Sequence, residues 1–150
     1  KSTEYALRAM ACVARSGRRI SVGEIAEHTQ VPSRYLAKVM QNLAHAGLVA
    51  STRGRTGGFV LAKTPAETTI LEIVNAVDPI QRICKCPLDL PEHADQLCAL
   101  HRRVDDALAD VEKAFQRSSL EDILSDPGPQ WPLGDPSNGA SDEAQAHRDR

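Results

Sequence analysis

The chain lacks any apolar run long enough to cross a bilayer, and it lacks a basic, then apolar, leader segment. A cytoplasmic location is therefore expected. It also lacks a Gly-rich phosphate loop, a nucleophile–base constellation and paired carboxylates, so no enzymatic role is read from it. No internal repeat is evident. Cysteine is confined to Cys12, Cys84, Cys86 and Cys98. Without a secretion signal these read as reduced thiols, suited to metal or redox chemistry rather than to a disulfide framework.

What is present is ordinary globular composition, and 150 residues suffice for one cored domain with appendages. Charge is unevenly placed. Residues 1–63 hold ten Lys and Arg against only Glu4, Glu24 and Glu27, a net of +7. Residues 64–124 carry a net of −6, and residues 125–150 a net of −3. A basic half joined to an acidic half is the asymmetry of a nucleic-acid-binding module.

Hydrophobic spacing organises the basic half. Leu7, Met10, Ala11 and Ala14 mark a helix over 4–15 that Gly17 breaks. Ser21, with Glu24 three residues on, has the capping-box pattern of a second helix ending near His28. After a tight turn at 29–31, Pro32 is expected at the first position of a third helix, which buries Leu36, Val39, Met40 and Leu43. Gly47 ends it. Residues 48–52 and 59–62 then read as strands around a Gly-rich turn at 53–58. Three helices and a basic hairpin make a winged helix-turn-helix.

The second half reads as a short helix at 69–77, a cysteine-containing loop, and a long helix starting at Asp95. Leu97, Leu100, Val104, Ala107, Val111 and Ala114 keep the three–four spacing of a coiled-coil seam, widened by Leu108 and Phe115. Such a helix exceeds what one small core needs, so it is read as a dimerisation element. A short helix follows around 120–124. The expected fold class is mainly α with a small β-wing, divided into a winged-helix domain (1–78), a cysteine loop (79–94), dimerisation and terminal helices (95–124) and a disordered tail (125–150) too poor in aliphatic residues to offset its ordering entropy.

A helix that enters a major groove needs donors on its first turns. Ser33, Arg34 and Tyr35 stand there, and Arg34, Lys38, Gln41 and His45 recur along the face opposite the buried stripe. The hairpin adds Arg53, Arg55 and Thr56 on a flexible backbone, suited to a phosphate backbone or a narrow minor groove. These eight positions (Ser33, Arg34, Tyr35, Lys38, Gln41, Arg53, Arg55, Thr56) are the candidate DNA-binding set.

Tyr-Ala-Leu-Arg-Ala-Met (5–10), Pro-Ser-Arg-Tyr-Leu (32–36), Leu-Ala-His-Ala-Gly-Leu-Val (43–49) and Arg-Gly-Arg-Thr-Gly-Gly-Phe-Val-Leu-Ala (53–62) resemble the Rrf-type bacterial winged-helix regulators that include IscR, NsrR and CymR. The resemblance spans about residues 2–124, and its family pattern begins a few residues before Ser2. It implies a homodimer that crosses its long helices and binds a palindromic operator in double-stranded DNA, with repression the expected outcome.

Several family members hold an iron–sulfur cluster between the wing domain and the long helix. The resemblance aligns Cys98 and His101 with a cysteine and the histidine that follows it, and positions three apart share one helical face. Cys86 and Cys98 are the favoured thiolate ligands. Cys84, His93, His101 and Glu4 compete for the remaining places, Glu4 standing where some relatives contribute an acidic ligand from the partner subunit. One residue between Cys84 and Cys86, then eleven before Cys98, departs from the usual spacing. Three outcomes stay open: a 2Fe–2S or 4Fe–4S cluster, a zinc or thiol-redox site, or no ligand. Two further readings of the whole chain also stand, a constitutive DNA binder without a cofactor and a winged-helix protein-interaction module.

Overall fold

The computed structural model describes residues 1–54, 57–88, 90–91 and 96–126. Expectations for Arg55, Thr56, His93 and the tail from 127 onward lie outside them.

The chain opens with α1 (Ser2–Ser16), which stops at Gly17 in the left-handed conformation at φ 60°. Next comes α2 (Val22–Thr29), capped as the sequence indicates: Ser21 Oγ accepts from the Glu24 amide and the Glu24 carboxylate returns to Ser21. A turn through Gln30 leads to α3 (Ser33–His45). Pro32 is the N-cap of α3, one residue earlier than expected, because its ψ of 128° is extended and only Ser33 begins the helical run. The wing is β1 (Val49–Thr52) paired antiparallel with β2 (Gly58–Leu61), Val49 opposite Leu61 and Thr52 opposite Gly58.

The core lies where α1, α2 and α3 converge. Met10 from α1, Ile25 from α2, and Leu36, Met40 and Leu43 from α3 are fully buried. Each side chain of this kind contributes about 1.5–3 kcal/mol on leaving water. Leu48 and Val49 seal the wing's base against the same core.

A 3₁₀ turn (Pro65–Glu67) precedes α4 (Ile70–Val77), whose capping box joins Thr69 to Glu72. Ile70, Ile73 and Val74 enter the winged-helix core, and α4 packs against α1 and α3. The long helix α5 (Ala99–Arg117) begins four residues later than the sequence suggests, with extended Cys98 as N-cap. Apolar spacing marks which residues share a face, but the hydrogen-bond ladder starts only at the Cys98 carbonyl, which accepts from Arg102 at 2.9 Å.

The chain then turns back. The Ile70 amide donates to the Ser118 carbonyl and the Leu120 amide to the Thr68 carbonyl, both at 2.8 Å. This short bridge delivers α6 (Leu120–Ser125), and Leu120 is fully buried in the core shared with α1. The terminal helix is thus packed into the winged-helix core.

No residue of α5 is buried. Leu108 and Phe115 are half-buried on its inner side, with Phe115 packed against the core, while Leu100, Val104 and Val111 are 66%, 42% and 42% exposed. Ala107 and Ala114 continue that exposed stripe. Among the described residues, no helix is long and apolar enough to cross a membrane.

Candidate nucleic-acid interface and cysteine segment

The stripe expected on α3 faces outward: Ser33, Arg34, Tyr35, Lys38, Gln41 and His45 are all exposed, opposite the buried Leu36, Val39, Met40 and Leu43. Arg34 Nη2 donates to Tyr35 Oη at 3.1 Å, and the guanidinium carbon lies 4.6 Å from the Tyr35 ring centroid. That stacking holds two of the candidate contacts as one unit. Tyr35 in turn leans on Tyr5 of α1, ring centroids 6.5 Å apart.

Arg53 stands exposed at the exit from β1. A cleft of about 410 Å³ separates α3 from the wing, lined by Ala37, Gln41, His45, Ser51, Arg53 and Phe59. Six of the eight candidate DNA-binding residues are described, and the fold brings Gln41 and Arg53 to one cleft. Arg55 and Thr56 lie outside the described residues. A second cleft, about 300 Å³, lies between the start of α1 and α3 and is bordered by Tyr5, Tyr35, Lys38 and Asn42. Donors and cations on one convex helix beside a basic hairpin can engage a polyanionic duplex.

At the other end, Cys98 Sγ is 3.4 Å from His101 Nδ1, so the two are paired across the first turn of α5. Cys86 is buried and Cys84 exposed. Glu4 lies exposed on α1, ion-paired with Arg8 at 2.7 Å. His93 is outside the described residues. Cys12 is buried inside α1, and that burial pushes its thiol pKa up, which suits a packing role. Among the described residues, no three of His, Cys, Asp and Glu gather within reach of one metal ion. Thiolates and imidazole are the donors an iron–sulfur cluster or zinc takes, so the residues fit in kind. The preformed part of such a site is the Cys98–His101 pair.

One contact in this region has no local sequence signal. Arg82, just before the cysteines, reaches Asp105 and Glu112 on α5. Asp105 also accepts from the Ile83 amide at 2.8 Å. The cysteine segment is therefore fastened to the middle of the long helix.

The sequence profile described as "Rrf2: Iron-dependent Transcriptional regulator" matches residues 1–126. A protein of Aquifex aeolicus named as an HTH-type transcriptional regulator is 32% identical over 128 residues, covering 83% of this chain and 89% of that protein. The structure of CymR, the global cysteine regulator of B. subtilis, superposes with a TM-score of 0.67 at 27% identity, covering 83% of this chain and 94% of that one. T. potens IscR shares the fold with a TM-score of 0.69 at 22% identity, over 85% and 86% of the two chains. A mostly helical domain with a two-stranded wing, matched over this length, settles the classification: the chain belongs to the Rrf2 family of transcriptional regulators.

Proposed function

We propose that this regulator binds double-stranded DNA as a homodimer through α3 and the wing, and that the cysteine segment at the head of α5 is where it reads its signal. The observation that carries the DNA reading is the exposed row of Arg34, Lys38 and Gln41 on α3, with Gln41 and Arg53 of the wing lining one cleft. On this reading α3 lies in the major groove. Ser33 holds a phosphate, Arg34 pairs with guanine or a phosphate, Gln41 reads adenine, and the wing follows the backbone. The exposed stripe Leu100, Val104 and Val111 on α5 supports dimerisation: a contiguous apolar face on a surface helix calls for cover, and a second copy of α5 supplies a matching one. A palindromic operator then follows from two-fold symmetry.

Cys86, Cys98 and His101 would hold the metal or cluster, with Cys84, His93 and Glu4 as further donors. When bound, an iron–sulfur cluster supplies reversible one-electron chemistry and sensitivity to oxidants. The chain's own part is to tie that site to α5 through Arg82 and Asp105, so that a change in the cysteine loop shifts the balance between arrangements of the two reading helices. Repression by occupying the operator is the simplest outcome.

The test is direct. Neutralising Arg34, Lys38, Arg53 and Arg55 together is expected to abolish duplex binding and its steep salt dependence. Unchanged affinity in that variant overturns the interface. Comparing anaerobically prepared protein with chelator-treated protein on the same duplex then separates a switched regulator from a constitutive binder. A winged-helix protein-interaction module would bind no duplex in either form.

A further inference from the structure

The wing is held toward its tip by residues far away in sequence. Ile20, in the connection from α1 to α2, exchanges both backbone hydrogen bonds with Phe59 of β2, at 3.0 and 2.8 Å. It thereby adds a third strand, one residue long, to a sheet of two short strands. The approach is close: a Cβ on Gly58 would sit 2.5 Å from the Ile20 carbonyl oxygen. Beside this bridge, Arg19 Nη1 donates to Thr52 Oγ1 at 2.6 Å and to the Gly58 carbonyl at 3.4 Å. Thr52 and Gly58 are the opposed pair that closes the β1–β2 ladder. The two N–H groups of Nη1 therefore meet one acceptor on each strand, at the last rung before the wing tip.

A two-stranded hairpin is marginal in water by itself, and this one has glycine at 54, 57 and 58. Its direction must be fixed from outside. Thr52 is bonded directly to Arg53, so whatever fixes Thr52 sets the course of the chain at Arg53. We infer that Arg19 is a positioning residue for the DNA interface: it clamps both strands of the wing and aims Arg53 at the duplex, and does not itself hold a phosphate. This rests on the reading that the wing meets DNA, and it assigns a role to a residue outside the recognition helix and the wing.

The experiment uses the full chain with Arg19→Ala, Arg19→Lys, Thr52→Val and the Ala/Val double variant. Binding to a fluorescein-labelled mixed-sequence DNA duplex is measured over a range of salt, and amide hydrogen exchange is followed without DNA. Arg19→Ala, which removes both hydrogen bonds, and Thr52→Val, which removes the shorter one, are each expected to weaken binding by about three- to tenfold. The double variant should be no weaker than Arg19→Ala, because both changes cut the same contact. The slope of log Kd against log salt should change alike in Arg19→Ala and Thr52→Val, since both act through Arg53 and neither removes a phosphate contact of Arg19 itself. Exchange at the Gly57 and Phe59 amides should quicken while α3 is unchanged, and Arg19→Lys should restore little, because an ammonium cannot bridge two strands as a fork.

A slope smaller by about one in Arg19→Ala, with Thr52→Val at wild-type affinity, makes Arg19 a phosphate contact and overturns the inference. Full rescue by Arg19→Lys, or wild-type exchange at Phe59 in Arg19→Ala, overturns it as well. Should the wild-type chain bind no duplex, the DNA reading fails by itself, and a clamp with no duplex to aim at fails with it; the exchange data then show only whether Arg19 secures the wing. Thr52→Val keeps the question answerable if Arg19→Ala proves unstable.

Discussion

Arg82 grips Asp105 through two parallel hydrogen bonds, Nε to Oδ1 at 2.7 Å and Nη2 to Oδ2 at 2.6 Å, and its remaining nitrogen reaches Glu112 at 3.1 Å. The fork geometry matches a carboxylate, and a second acceptor about two turns further along α5 stops the guanidinium from swivelling. Residues 23 positions apart are thus joined where the cysteine segment leaves α4 and meets the long helix.

This tie is expected to weaken in acid. The Arg82 hydrogen bonds, and then the Ile83 amide, hold the Asp105 carboxyl down at about 2, against an ordinary value of 3.8. A depressed folded-state pKa means the contribution is complete above about pH 4 and is lost as pH falls toward 2. Limited proteolysis between residues 79 and 91 should accelerate across that window, and Asp105→Asn should cleave at the fast rate already at neutral pH. A pH-independent cleavage rate in the wild type would show that the ion pair does not restrain the segment.

Bound metal should track particular cysteines. Anaerobically purified wild type is expected to retain iron and sulfide, or zinc, and Cys86→Ser and Cys98→Ser to lose them. Cys12→Ser, altered inside α1, should keep them. Equal metal content in all three variants removes the cysteine segment from the sensing role.

The outer stripe of α5 should govern assembly. Val104→Glu with Val111→Glu places charge on side chains that are 42% exposed in the single chain, so the protomer should keep its fold. Sedimentation is expected to show a dimer for the wild type and a monomer for this variant. Duplex affinity should drop on the order of a hundredfold, as two linked binding events become independent. A variant that still sediments as a dimer points to another interface.

The return of the chain through α6 should carry real stability. Leu120 is fully buried, so Leu120→Ala should cost about 2–5 kcal/mol in urea unfolding. A loss well under 1 kcal/mol would mean that α6 is merely laid against the domain.

How much of this was legible in the sequence depends on range. Ser21 and Glu24, three residues apart, form the capping box the pattern indicates, and the four buried apolar residues of α3 define its outward face correctly. The same rule could have found the 3₁₀ turn, because Thr64 and Glu67 make an equivalent box. Local chemistry speaks through local spacing. Arg19 to Thr52, Arg82 to Asp105 and Leu120 to the α1 core have no such spacing, since they depend on how the elements pack. The seam on α5 was visible as a period, but its division into an inner Leu108–Phe115 side and an outer Leu100–Val104–Val111 side required α4 in place. At the cysteine segment, residue types were readable and their grouping was not. Only the Cys98–His101 pair follows from helical spacing.

The return of Leu120 to the core makes α5 a strut fastened twice: along its middle through Arg82, at its foot through α6. Nineteen residues at 1.5 Å each give a span of about 28 Å. Adding one residue to such a strut turns its head by about 100° relative to its foot, whereas adding four nearly restores the phase. Length and angular phase along this helix are therefore coupled, and an insertion between the two fastenings keeps both only in steps of whole turns.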